Sequence, residues 1–223
     1  MIIIEGLIGV GKSTLSEGLG EILNYKVLKE PVEDNPYLEK FYRDPKRYAL
    51  EMQFWLMSKR FSMHQEAIDY IWRTGNGIIM DRSIYGDAIF AKQNFDDGNI
   101  DSIGFDNYIK MREVMFRFLM IPQVTIYLEA SPYTCQTRIA KRDRSCEQLI
   151  PIDYLSGLDK HYRSLLEELE RKGSNIVKID WEEFKSVDYV VSKLKQENLL
   201  SSNFTDYPKI QSSISEKLSN HYS

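Results

Sequence analysis

Residues 6–13 read Gly6-Leu7-Ile8-Gly9-Val10-Gly11-Lys12-Ser13. This is the pattern G-x-x-x-x-G-K-[ST]. The apolar run Ile2-Ile3-Ile4 precedes it and a helical pattern starts straight after it, the strand–loop–helix context in which such a loop cradles phosphate. Glycines let successive backbone N–H groups turn into one concavity, and that concavity opens at the positive end of a helix. On this reading Gly6, Gly9 and Gly11 shape the loop, and Thr14 extends its phosphate-binding end. Lys12 reaches the β- and γ-phosphates of a nucleoside triphosphate, and the Ser13 hydroxyl ligates Mg²⁺. The alternative is a chance glycine-rich turn, against which motif and context coincide.

Outward from the loop, short β-branched runs alternate with long helical patterns, the signature of a parallel sheet with crossover helices. Strands are expected at 2–4, 26–29, 77–80, 124–128 and 175–179. Their nearly continuous apolar character fits strands buried on both faces. Helices are expected at 13–23, 47–73, 106–120, 133–141, 152–171 and 187–198. In the longest, Leu50, Phe54, Met57, Phe61, Ile68 and Ile71 step at helical spacing, widened by Met52, Trp55 and Leu56. That stripe reads as core, with one edge free to meet a partner subunit. After Leu200 the chain turns to Ser, Asn, Thr and Lys, so a single domain over 1–200 with a polar tail at 201–223 is expected.

Composition narrows the function. The 223 residues carry 29 Lys and Arg against 33 Asp and Glu, a net charge of −4, with no basic excess for a nucleic-acid partner. Two cysteines, Cys135 and Cys146, make no disulfide framework and fit a reducing cytoplasm. The most apolar stretch, 114–128, is broken by Arg117, Pro122 and Gln123, short of the ~20 residues a span needs. The start MIIIEG has no basic n-region, so neither secretion nor a membrane partner is expected.

The loop specifies a nucleotide but not a reaction. A GTPase needs N-K-x-D, and no asparagine here precedes a lysine. Asp101-Ser102-Ile103-Gly104 spells D-x-x-G without ending an apolar strand, a coincidence. The length scarcely accommodates the signature-bearing helical domain of an ABC-type ATPase. A small-molecule kinase remains, and three further stretches fit one. Glu30-Pro31-Val32 follows the second strand, where a carboxylate could accept the proton of an attacking hydroxyl; a surface Glu before a turn-forming Pro is the other reading. Asp81-Arg82-Ser83 ends the third strand with a group for metal and a group for phosphate, or with a structural ion pair. Arg138, Arg142 and Arg144 form a cationic patch with the first two at i and i+4, either a lid over the transferred phosphoryl group or a solvated helix end.

Together these motifs resemble the deoxyribonucleoside kinase family, over about residues 2–200, and in particular its deoxycytidine/deoxyguanosine/deoxyadenosine kinase branch of bacterial type. The resemblance implies a P-loop kinase fold: an α/β protein with a five-stranded parallel sheet flanked by helices, an Arg-rich lid over 138–151, and a homodimer. It implies ATP·Mg²⁺ as donor and a deoxynucleoside 5′-hydroxyl as acceptor, in nucleotide salvage. Glu30 is similar to the family's general base, Arg82 to the arginine that orients that base and the phosphoryl group, and Asp81 to the acid associated with Mg²⁺. Gln53 resembles the glutamine that pairs with the nucleobase, Tyr42 and Glu147 the pair at the sugar 3′-hydroxyl, and Arg60 and Asp87 the base-recognition pair. Trp181 and Phe184 lie where the family loops around the donor base.

Gln53 and Arg60 are two helical turns apart on one face. An Asp87-fixed Arg60 would crowd the thymine methyl, so deoxyadenosine, deoxyguanosine or deoxycytidine is expected over thymidine. Two rivals share the phosphate loop. A thymidylate kinase would need cations, not Glu30, facing an acceptor phosphate. A catalytically silent nucleotide-binding regulator would usually lack one of Lys12, Glu30, Asp81, Arg82 or the lid arginines.

Overall fold

A computed structural model describes residues 1–30, 34–142 and 150–200. Five strands, β1 (Ile2–Gly6), β2 (Lys26–Leu28), β3 (Ile78–Asp81), β4 (Val124–Glu129) and β5 (Asn175–Asp180), form one sheet in the order β2-β3-β1-β4-β5, every pairing parallel. β1 is buried along its whole length and β3 likewise, because helices cover both faces. These helices are α1 (Lys12–Leu23), α2 (Leu38–Arg43), α3 (Pro45–Thr74), α4 (Asp87–Asp96), α5 (Ser102–Phe116), α6 (Pro132–Arg142), α7 (Ile152–Arg171) and α8 (Val187–Gln196). The order reverses around β1, so ligands are expected outside the carboxyl ends of β1 and β3, where the chain leaves to opposite sides.

Local chemistry explains the boundaries. Asp44 accepts a hydrogen bond from Arg47 N, Pro45 takes the first turn of α3, and Gly75 at φ 67° ends it after 30 residues. Asp101, the first residue of the D-x-x-G string, is the N-cap of α5 and accepts from Gly104 N at 2.6 Å. That cap starts α5 four residues before the expected position, and the helix ends at Phe116 instead of 120. Two helices escaped the periodicity: α2 is six residues long, and α4 carries polar side chains on its buried face. By contrast α7 buries Leu155, Leu158, Tyr162, Leu165, Leu166 and Leu169 at steps of three and four. Truncating one such leucine to alanine costs about 2–5 kcal/mol.

The long helix corrects the expected stripe. Its buried line is Ala49, Met52, Gln53, Leu56, Met57, Arg60, His64 and Ala67, while Leu50, Phe54, Phe61, Ile68 and Ile71 are half-buried. The face turned inward therefore carries three polar side chains. His64 accepts a hydrogen bond from Met120 N and, being buried, has its pKa pushed down to about 4. Arg60 reaches the carboxyl ends of the strands, where it pairs with Glu30 beyond β2 and Asp87 beyond β3.

Candidate active site

A cavity of about 800 Å³ opens at those strand ends. Its phosphate end is the loop between β1 and α1. Gly9 and Gly11 adopt φ 80° and 106°, and a Cβ on Gly9 would sit 2.8 Å from the Cys135 carbonyl oxygen, so the loop can only be glycine there. Gly11 is also the N-cap of α1, and no side chain caps that helix, which leaves its first-turn amides for an anion. Gly9, Gly11, Lys12, Ser13 and Thr14 line the cavity, whereas Gly6 does not. The Lys12 ammonium donates to the carbonyls of Gly6 (3.2 Å) and Leu7 (2.9 Å), holding the loop curled. Burial, together with the nearby Arg82, lowers its pKa from 10.5 to about 8.

The end of β3 faces this loop. The Ser13 hydroxyl donates to Asp81 Oδ2 at 2.5 Å, and the second Asp81 oxygen is buried with no partner among the described residues. A hydroxyl and a carboxylate with a spare oxygen are hard ligands of the kind Mg²⁺ takes from a protein when substrate phosphates complete its shell. Next to it Arg82 stands at φ 65°, a left-handed conformation that costs an ordinary side chain about 1–3 kcal/mol. Its guanidinium donates to the Tyr162 hydroxyl (2.6 Å) and the Gly6 carbonyl (3.2 Å), and Tyr162 in turn donates to Gly6 O at 2.8 Å. Burial alone would pull the Arg82 pKa down, but Tyr162, Glu30 and Glu5 outweigh it and push it up. Arg82 stays charged.

Glu30, after β2, lines the same cavity. Arg82 Nε is 3.2 Å from Glu30 Oε1, and Arg60 pairs with the same oxygen. Burial would raise this carboxyl, yet Arg82, Arg60 and Lys12 together bring it from 4.5 down to about 2. Arg60 also pairs with Asp87, and both are almost fully buried, so this is no solvated surface bridge. The Gln53 amide is fully buried, and neither its oxygen nor its nitrogen is bonded among the described residues. Like Asp87, it is absent from the cavity wall, which α3 forms with Met52, Leu56 and Arg60. Tyr42, from α2, joins that wall.

At the far rim, Arg138 lines the cavity with its guanidinium held by backbone. Its guanidinium donates to the carbonyls of Val10 (3.2 Å), Trp181 (2.9 Å) and Glu182 (2.9 Å) and lies 4.0 Å over the Phe184 ring. It ties the phosphate loop to the segment after β5. Arg142 and Phe184 line the cavity, while Trp181 is buried behind, edge-on to Phe184. Arg144, Glu147 and the Pro31-Val32 that follow Glu30 lie outside the described residues, as does the tail at 201–223.

Sequence reasoning missed the apolar half of the site. Phe41, Phe90 and Tyr154 line it from α2, α4 and α7, and Glu5 and Tyr162 brace Arg82 from behind. None belongs to a motif with a distinctive spacing. The paired Glu5-Gly6 at a strand end was the one local signal.

The deoxynucleoside kinase sequence profile matches residues 2–204. A deoxyguanosine kinase of Dictyostelium discoideum is 42% identical over 198 residues, covering 89% of this chain and 70% of that protein. A deoxyadenosine kinase of the same organism is 36% identical over 196 residues, covering 88% and 78%. Among solved structures, deoxyadenosine kinase from M. mycoides with bound dATP superposes with a TM-score of 0.77 at 32% identity, over 87% of this chain and 98% of that one.

Proposed function

The chain belongs to the deoxynucleoside kinase family and is an ATP-dependent phosphotransferase for deoxynucleosides; from that premise we propose how its residues divide the work and which acceptors it takes. The observation that carries the proposal is the position of Glu30, a half-buried carboxylate between Arg82 and Arg60 in the same cavity as Lys12, Ser13 and Asp81. The acceptor 5′-hydroxyl donates to Glu30. The γ-phosphoryl of ATP meets Lys12, Arg82 and the amides of the α1 N-terminus. Ser13 and Asp81 would hold Mg²⁺, which when bound would neutralise charge on the phosphate oxygens.

Phosphoryl transfer passes through a loose transition state, so alignment and charge stabilisation dominate and the proton leaves late. A carboxyl held at about 2 is a weak base but a permanent anion, suited to orienting the hydroxyl and taking its proton late. Arg82 touches both Glu30 and the phosphate loop, so one guanidinium couples acceptor to donor. Phe41, Met52, Leu56 and Phe90 supply the apolar walls for a nucleobase; the Gln53 amide is buried outside that wall and, once the side chains in front of it give way to the base, offers it a donor and an acceptor. Tyr42 and Glu147 hold the 3′-hydroxyl, Arg142 and Arg144 close over the phosphates, and Trp181 and Phe184 border the donor base. The Arg60–Asp87 pair favours deoxyadenosine, deoxyguanosine or deoxycytidine over thymidine.

The protein acts as a homodimer in the cytoplasm. Ile103, Met111, Val114 and Phe118 stand exposed at helical spacing along and just beyond α5, a helix that packs against α3. Among the described residues no helix is long and apolar enough to cross a membrane. The deciding experiment offers purified protein ATP·Mg²⁺ with each of the four deoxynucleosides and each of their monophosphates. Turnover of deoxyadenosine, deoxyguanosine or deoxycytidine is expected. Thymidine as best acceptor would overturn the pocket assignment, and turnover of monophosphates alone would overturn Glu30. Light scattering showing a monomer would remove the dimer.

A further inference from the structure

Glu5, the penultimate residue of β1, has no part in the reaction as described, yet it is fully buried. An acid at the centre of a parallel sheet costs several kcal/mol of desolvation unless its neighbours compensate. Here they do so only in part, since burial still pushes the Glu5 carboxyl up against the pull of Arg82 and the Ser83 hydrogen bond. Glu5 Oε1 accepts from both the backbone N–H of Ser83 (3.0 Å) and the Ser83 hydroxyl (2.6 Å), and Oε2 lies 3.7 Å from Arg82 Nη1. Gly86 packs against the carboxylate so closely that a Cβ there would stand 2.8 Å from Oε2.

These contacts surround the strained residue of the site. The N–H of Arg82 donates to the Ile4 carbonyl at 3.1 Å, and the next N–H, that of Ser83, is held by Glu5. Both amides flanking the left-handed Arg82 are thus tied to β1, one residue before the phosphate loop begins. Released from Glu5, the turn could relax toward an ordinary conformation, and the Arg82 side chain would swing away from Glu30 and Gly6. A misplacement of about 1 Å is worth up to ~10²-fold in rate.

We propose that Glu5 is a positioning residue for phosphoryl transfer: as a hydrogen-bond acceptor it locks the Arg82–Ser83 turn and so aims the Arg82 guanidinium. The inference rests on the role given to Arg82 under the proposed function. Its test is a mutant cycle read as kcat and KM in the full-length protein. Glu5→Met, of similar size but without an acceptor, should lower kcat at least tenfold with KM for ATP and for deoxynucleoside within twofold. Glu5→Gln keeps an acceptor oxygen and should stay within threefold of the unaltered protein. In an Arg82→Lys background Glu5→Met should change kcat less than twofold, because the group it aims is gone.

An unchanged kcat in Glu5→Met, the same loss in Glu5→Gln, or the same factor in both backgrounds would each overturn the proposal. If Glu5→Met does not fold, Ser83→Ala decides, since it removes the shorter of the two tethers. A kcat at least threefold lower, and only in the Arg82 background, sustains the proposal, and any other result overturns it. Full activity of Arg82→Lys by itself would instead remove Arg82 from the mechanism.

Discussion

Replacing Glu30 by glutamine separates the chemistry of this site from its stability. The amide keeps the shape of the side chain but cannot take a proton, and loss of a general base costs ~10²–10⁴-fold in turnover. ATP affinity should hold within about twofold, because the phosphate loop does not touch the substituted atom. The electrostatic cost follows from the lowered carboxyl. Moving from 4.5 to about 2 corresponds to at most roughly 3 kcal/mol of stability at neutral pH. Part of this survives in the variant, since Arg60 keeps Asp87 and Arg82 keeps Tyr162 and Glu5, so a loss of about 1–2 kcal/mol is expected.

The sign is definite. A folded-state carboxyl held below its unfolded value stabilises above about pH 4.5 and loses that contribution as pH falls toward 2. The Tm of the unaltered protein should therefore exceed that of Glu30→Gln at pH 7, and the difference should shrink steadily below pH 4.5. Radiolabelled phosphoryl transfer gives kcat, and calorimetry across pH 3–8 gives the stability gap. A kcat within threefold of the unaltered protein would remove Glu30 as base. A Tm gap independent of pH would show that the two arginines do not hold the carboxyl as described.

Lys12→Ala should abolish phosphorylation while the domain still melts cooperatively, with a modest drop in Tm because the ammonium also holds the carbonyls of Gly6 and Leu7; residual turnover above a few per cent would contradict the phosphate-loop assignment. With Lys12 at about 8, ATP affinity should weaken as pH rises from 7 to 10, and binding above pH 8 should take up a proton as phosphate restores the charge. Titration calorimetry in two buffers of different ionisation enthalpy measures that uptake, and its absence would refute the lowered value. Arg60→Met combined with Asp87→Ala should raise thymidine use about tenfold relative to deoxyadenosine. The double change is the right one, since Arg60→Met alone strands a fully buried Asp87 at a cost of about 3–5 kcal/mol; unaltered selectivity would leave base choice to Gln53 and the apolar walls.

Sequence by itself determined the parallel sheet, the phosphate loop and the identity of most polar groups at the site. Each is written in short-range chemistry: β-branched runs, glycines at set intervals, a lysine and a serine at a helix start. The five expected strands fall within two residues of the observed ones for this reason. The rotation of α3 was legible only in part. Apolar periodicity pointed to Leu50, Phe54 and Phe61, yet the buried centre of the helix is Gln53, Arg60 and His64, because that face meets the site and the sheet instead of a wholly apolar core.

Beyond the Arg60–Asp87 and Arg82–Glu30 pairings that the family resemblance implied, tertiary structure alone decided which charges meet. Arg60 and Glu30 are 30 residues apart, and Arg82 and Tyr162 80 apart, and no local pattern encodes such contacts. The same holds for Arg138. Its spacing from Arg142 reads as a phosphate clamp, but the fold brings three backbone carbonyls within reach of its guanidinium, and those carbonyls set its conformation. Periodicity records which way a side chain leaves its own helix. What waits for it there is set by the closure of the sheet and the order in which β1, β3 and β4 are laid side by side.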